Sequence, residues 1–177
     1  MVINVIQENT FIEIIDFIGF LAPHILLILS ILLLWNKKFY LIYFILGYGF
    51  NIVLNLILKG IIRQPRPSED IKLINISKNN GKRISFDKFG MPSGHAQLSF
   101  FCVVFIYLVL KNIPLTIFYI IVSILSLQQR VKYKNHTLIQ VIVGTLVGAF
   151  VGFAVYMLTK KNVGGKWTAK KDDNALN

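Results

Sequence analysis

Acidic residues are scarce in this sequence: Asp and Glu number 8 against 19 Lys and Arg in 177 residues, a formal charge of +11 with histidine neutral. Charge of either sign is thin as well, at 15% of the chain, and a water-soluble globule of this length needs a more charged surface. Cysteine occurs once, as Cys102 inside an apolar run, which excludes an internal disulfide framework and a thiolate metal site. A lone thiol among apolar neighbours is expected to pack as a small hydrophobe. Five prolines and twelve glycines without a fixed period exclude collagen-like and low-complexity classes. No internal repeat is apparent.

What is abundant is apolar. Residues of the set AVILMFWYC make up 55% of the chain, and mean hydropathy is +0.63. That much Ile, Leu and Phe excludes disorder and requires a bilayer as solvent. Crossing the hydrocarbon takes about 20 helical residues. Five segments qualify, at about 11–34, 39–58, 93–110, 113–129 and 137–158, so the expected fold is all-α: an integral membrane bundle of about five transmembrane helices. Glu8, Glu13 and Asp16 precede the clean part of the first run, where a signal peptide would carry positive charge, so this segment reads as a retained helix. Residues 1–160 form one membrane domain, and 161–177 read as a flexible basic tail.

The links at 35–38 and 111–112 are tight, as between antiparallel neighbours. Residues 60–92, by contrast, form a connection of a length usually tied to function. Alternation of the helices puts this loop, the 129–136 loop and the N-terminus on one membrane face. That face collects Lys59, Arg66, Ser93, Gly94, His95, Arg130 and His136. Arginine offers phosphate a bidentate fork, and lysine a point charge. The turn Pro92-Ser93-Gly94-His95 opens a helix and aims backbone N–H groups at the same space, which suits an anion. Two histidines can divide the work of nucleophile and general acid. On physical grounds this is a phosphate site with acid–base capacity.

Lys59-(six residues)-Arg66-Pro67, then Pro92-Ser93-Gly94-His95, then Arg130-(five residues)-His136 resemble, in order, the three motifs of the type 2 phosphatidic acid phosphatase superfamily. The resemblance implies a lipid phosphatase that needs no metal or other cofactor and acts through a phosphohistidine. It implies His136 as nucleophile and His95 as the acid that protonates the leaving oxygen and then activates water. Lys59, Arg66, Arg130, Ser93 and the Gly94 backbone are then the phosphate cradle. Two positions depart from the usual pattern: Gln129 stands where serine is common, and Gln140 where an aspartate usually follows the nucleophile by four residues. That spacing puts Gln140 below His136 on one helix face, where an amide oxygen can accept from the ring and orient it. A carboxylate from elsewhere on the same face, such as Asp16, is a candidate substitute. The strings Phe89-Gly90-Met91-Pro92-Ser93, His95-x-Gln97 and His136-Thr137-x-x-Gln140 are similar to the dolichyl-diphosphatase branch, where Gln takes that place. The implied substrate is therefore a polyprenyl diphosphate, with phosphatidic acid or another phospholipid monoester as the alternative. A phosphoanion-binding membrane protein without turnover is the rival from another class.

Expected partners are the lipid phosphate or diphosphate and membrane lipids. Nucleic acid is excluded because the basic residues are divided among short loops. Gly144, Gly148 and Gly152 form a small-residue ridge continuing the His136 and Gln140 spacing; it suits packing on a neighbouring helix first and a homodimer second. Asn51 and Asn55 share the Lys59 face of the second segment, either supporting that lysine or bridging helices. Arg63, Lys72, Lys82, Arg83, Lys132 and Lys134 read as topological charges, and His24, beside Pro23, as a packing or kink residue. With the three motif cations set aside, each face keeps eight Lys and Arg, so charge does not orient the chain. The resemblance implies a luminal or extracytoplasmic site, in the endoplasmic reticulum membrane of a eukaryotic host. Asn75-Ile76-Ser77 would be a glycosylation acceptor there.

Overall fold

The five apolar runs become five helices: α1 Val2–Leu34, α2 Lys38–Ile62, α3 Gly94–Leu110, α4 Ile113–Lys132 and α5 Leu138–Asp173, with a short 3₁₀ turn at Ser85–Lys88. This computed structural model describes residues 2–68 and 85–173, with side chains over 12–68 and 85–163. Asn75-Ile76-Ser77, Lys72, Lys82 and Arg83 lie outside the described residues. α5 continues well past residue 158, to Asp173, through most of the stretch that reads as a tail; Lys, Ala and Trp there are compatible with continuing the helix. The tight links have local causes. Lys111 ends α3 in the left-handed region (φ 53°), and Asn112 then caps α4, its Oδ1 accepting from Leu115 N at 3.0 Å, with Pro114 in the first turn.

The bundle is inside-out relative to a soluble protein. Ser30, Asn51, Gln97, Ser99, Ser123, Ser126, Gln129 and Gln140 are buried, whereas Phe17, Leu32, Leu46, Phe50, Leu146 and Phe150 face outward. Only a hydrocarbon solvent makes that arrangement favourable. α1, α2, α4 and α5 are each long and apolar enough to cross a bilayer. α3, with 17 residues, is shorter and central: it packs against all four others, most extensively α5. Phe44, Phe101 and Phe105 form its aromatic core, with ring centroids 5.4–6.0 Å apart, and Cys102 is buried beside them.

Gly144, Gly148 and Gly152 make the α3–α5 contact. A Cβ at Gly144 would lie 2.5 Å from Ser93 O, and one at Gly152 would lie 2.9 Å from Phe101 O. The ridge is thus filled from within the chain, which corrects its use as a homodimer surface: α3 already occupies it. A second polar seam joins α2 to α3. Gln97 Nε2 donates to Asn51 Oδ1 at 2.6 Å, and Asn55 Nδ2 donates to Gln97 Oε1 at 2.8 Å and to Pro92 O at 3.2 Å. Such interhelical bonds contribute about 0.5–2 kcal/mol each in a membrane. Asn51 and Asn55 therefore bridge helices and hold the Pro92–His95 turn. His24 is exposed, so it does not pack in the core.

Candidate active site

The topology gathers the C-terminal end of α2, residues 64–66, the 3₁₀ turn, the N-terminus of α3 and the α4–α5 loop at one end of the bundle. A cavity of about 370 Å³ lies among them, lined by Lys59, Arg66, Gly94, His95, Arg130 and His136 together with Asn135 and Asp87. Six of the eight site residues named from sequence line it, and Gln140 lies behind His136. Ser93 stands just behind: its N–H donates to Gln140 O at 3.0 Å, and its buried hydroxyl has no partner among the described residues.

His136 is held by a turn in which Asn135 N and its own N–H both donate to Arg130 O, at 3.0 and 3.1 Å. This couples the nucleophile candidate to the third-motif arginine through the backbone. The ring's tautomer follows from its neighbours. Nδ1 lies 2.8 Å from Gly90 O, and a carbonyl can only accept, so Nδ1 carries the proton. Nε2 is then a lone-pair nitrogen, and Arg66 Nη1 donates to it at 2.8 Å. Burial holds the imidazole pKa well below its ordinary value, and the positive charges of Arg66, Lys59 and Arg130, with His95, push the same way. The ring is thus held in the unprotonated form that attack by Nε2 would require.

Gln140 does something other than mimic an aspartate. Its Oε1 is a second, longer acceptor for Nδ1 at 3.3 Å and also takes Thr137 N at 3.1 Å. Its Nε2 donates to Pro65 O at 2.8 Å and to Gln64 Oε1 at 3.1 Å. The amide thus ties the first-motif loop to the start of α5, a task that needs a donor. Gly90 is required at this junction, because a Cβ would fall within 2.6 Å of the Gln140 amide carbon. Asp16 is no substitute carboxylate: it is buried against Lys132 (2.6 Å) and Tyr133 OH (2.7 Å).

His95 stands across the cavity. Its ring lies 6.0 Å from that of Phe20, and its Nε2 is buried with no hydrogen-bond partner among the described residues. Arg130 is steered by Gln129, whose Oε1 accepts from Nε at 2.6 Å, and its guanidinium lies 5.3 Å from the Phe20 ring centroid. Arg66 also donates to Asn135 O at 2.9 Å and to Asp87 O through Nε and Nη2. Asp87 was not singled out from sequence. Its carboxylate ion-pairs with both Lys59 and Arg66. The available signal was electrostatic: buried cations need a counter-charge, and the long loop holds only Glu69, Asp70 and Asp87.

Apart from Asn55, the rest of the cavity wall is apolar: Phe20, Ile52, Leu56 and Leu98. α1 and α2, which flank this wall, meet only sparsely, and Ile52 and Leu56 are exposed to the surrounding hydrocarbon. Part of the cavity's lining thus also faces the outside of the bundle.

Residues 40–163 match the PAP2 superfamily, a stretch that contains every motif residue described above. The chain belongs to the PAP2 superfamily. It is also 33% identical, over 165 aligned positions, to a Saccharomyces cerevisiae protein named dolichyldiphosphatase, covering 81% of this chain and 64% of that relative. The chain thus spans a little under two thirds of the relative's length. No solved structure matches. The matched stretch takes in α3 and α4 whole and most of α2 and α5.

Proposed function

We propose that the protein hydrolyses a lipid-linked diphosphate, a polyprenyl (dolichyl-type) diphosphate, to the monophosphate through a phosphohistidine on His136. The observation that carries this reading is the His136 ring: an unprotonated Nε2, fixed by Gly90, inside a cavity that holds three cations and has apolar side chains in its wall. Nε2 attacks the terminal phosphorus, and the bond from phosphorus to the bridging oxygen breaks. His95 takes up a proton as the anionic head binds and gives it to that oxygen. Water then attacks the phosphohistidine and passes a proton to His95, releasing inorganic phosphate and restoring both rings. Lys59, Arg66 and Arg130 neutralise charge developing on the transferred group. The apolar wall and the sparse α1–α2 contact suit a substrate whose tail stays in the bilayer, and the name of the yeast relative favours a diphosphate head. In a eukaryotic host this reading puts the protein in the endoplasmic reticulum membrane with the site on the luminal face, where Asn75 would accept a glycan.

The test is phosphate release by detergent-purified protein in EDTA, offered a polyprenyl diphosphate or phosphatidic acid, beside His136→Ala. Release from the diphosphate, abolished in the variant, is expected. Release from phosphatidic acid alone would move the substrate to phospholipid monoesters. No release from either by folded protein would overturn the enzymatic reading in favour of a phosphoanion-binding protein.

A further inference from the structure

Lys59 and Arg66, the two cations of the first motif, do not face an empty cradle: one oxygen of the Asp87 carboxylate, Oδ1, pairs with Lys59 Nζ and lies 3.0 Å from Arg66 Nη2. An anionic oxygen shared by an ammonium and a guanidinium is the arrangement a bound phosphate oxygen would adopt. The partners are unequal. The Lys59 and Arg66 side chains are 4% and 5% exposed, whereas that of Asp87 is 52% exposed. Lys59 is fixed on α2, and Arg66 is held by bonds to Asn135 O and His136. Asp87 instead sits on a single exposed 3₁₀ turn, anchored mainly by the Phe86 ring against Gly60 and by its own carbonyl, which Arg66 holds. Moving the carboxylate into water costs it little desolvation, while the cations stay where a phosphate needs them.

We infer that Asp87 is an internal competitor for the phosphate cradle, a carboxylate that every incoming anion must displace. The inference rests on the reading of the cavity as a phosphate site. An intramolecular carboxylate competes at an effective concentration of millimolar or more. Any ligand requiring the open cradle therefore binds more weakly, by the fraction of time the cradle is open. Free phosphate, with no other contact to gain, is kept out and is expelled after turnover. A lipid-anchored head is weakened by the same factor, but the tail adds binding in the apolar part of the cavity, so the lipid still fills the site at concentrations where free phosphate does not. Asp87 thereby keeps soluble phosphate off the cradle while tethered phosphoanions still occupy it.

The experiment compares wild type with Asp87→Asn, Asp87→Ser and Asp87→Glu, all in detergent. Binding of inorganic phosphate and of inorganic pyrophosphate is measured by calorimetry, with turnover of a polyprenyl diphosphate as the second readout. Asp87→Asn and Asp87→Ser are expected to tighten both soluble anions by a similar factor, about 3- to 30-fold, and to deepen product inhibition by phosphate. Asp87→Glu, which restores the carboxylate, should return most of the way to wild type. A charge acting from a distance would instead tighten pyrophosphate far more than phosphate, because pyrophosphate carries more charge, and that result would overturn the inference. So would unchanged or weaker phosphate binding in whichever of the two neutral variants folds, if wild type turns over the lipid. A wild type that neither binds phosphate nor releases it from lipid would overturn the cradle reading itself, a result distinct from failure of the competitor.

Discussion

Arg66 Nη1 donates to His136 Nε2 at 2.8 Å, so the cation that would hold the phosphate also covers the nitrogen that would attack it. A phosphate entering between them would take the guanidinium's hydrogen bond and leave the lone pair facing phosphorus. Gly90 O, 2.8 Å behind the ring on Nδ1, keeps that lone pair in place while the exchange occurs. Cradle and nucleophile are thus one hydrogen-bonded unit.

The first prediction concerns the charge of His136. Its folded-state pKa is depressed, by burial first and by Arg66 second, so the ring is neutral at pH 7 and stays neutral somewhat below the ordinary histidine value of about 6.5. The unfolded chain takes up its proton earlier as pH falls. This group's contribution to stability is therefore complete above about pH 6.5 and is lost as pH drops toward the folded-state value. Arg66→Gln removes one of the depressing charges. The acid limb of kcat/KM should move upward toward the ordinary value, and kcat/KM should fall about 10²- to 10³-fold. Ring ¹⁵N shifts followed with pH report the same change directly; an unmoved titration in the variant would disprove the coupling.

Gln140 provides the second. Gln140→Glu keeps the shape but turns the donor to Pro65 O into an acceptor, leaving two acceptors face to face in a buried junction. A loss of about 1–3 kcal/mol in stability is expected, with turnover falling in parallel as the 64–66 loop detaches from α5. Gly90→Ala should give a similar phenotype by a different route, since its Cβ would collide with the Gln140 amide. Thermal melts and kcat of the two variants check this. Full activity in Gln140→Glu would mean that the amide only orients the ring.

These two residues also show where sequence reading ends. The five helices, the shared face and the cations with their two histidines were legible because hydropathy and motif spacing act over short, regular intervals. Gln140 was placed correctly below His136, yet its role as a donor depended on carbonyls at Pro65 and on the amide of Gln64, about 75 residues away. Backbone partners such as Gly90 O and Asn135 O carry no side-chain signature. Asp87 lies beyond a long aperiodic loop, so nothing in spacing could bring it to Lys59; only the need to balance buried cations pointed there.

A third prediction tests the α3–α5 seam. A Cβ at Gly148 would lie 2.7 Å from Gln97 C and 2.9 Å from its Cα, which are backbone atoms that no rotamer change can move. Gly148→Ala should therefore destabilise the protein by about 1–3 kcal/mol, the usual cost of overpacking. Gln97 also anchors Asn55 and, through it, the Pro92 carbonyl, so activity should decline with stability. Phe150→Leu, on the outward face of the same helix, should leave the melting temperature within a degree or two. Equal melting temperatures for Gly148→Ala and wild type would show that the helices can separate without cost.

The last prediction separates the two histidines. His95 lines the cavity, and its buried Nε2 has no hydrogen-bond partner among the described residues, which suits a group that meets the leaving oxygen and then water. A leaving group of low pKa departs without a proton, so the need for His95 in the first step falls as the leaving group improves. The second step, attack of water on phosphohistidine, keeps its need for His95 whatever departed. His95→Ala should therefore lose about 10²- to 10⁴-fold on an alkyl phosphate. On an aryl phosphate it should react in a single burst and then stall with phosphate bound to protein. His136→Ala should show neither burst nor label on any substrate. The measurement is acid-labile, base-stable phosphoprotein after rapid quench. Label that persists in His136→Ala, or an aryl phosphate burst absent from His95→Ala while its slow turnover continues, would reverse or abolish the assignment of roles.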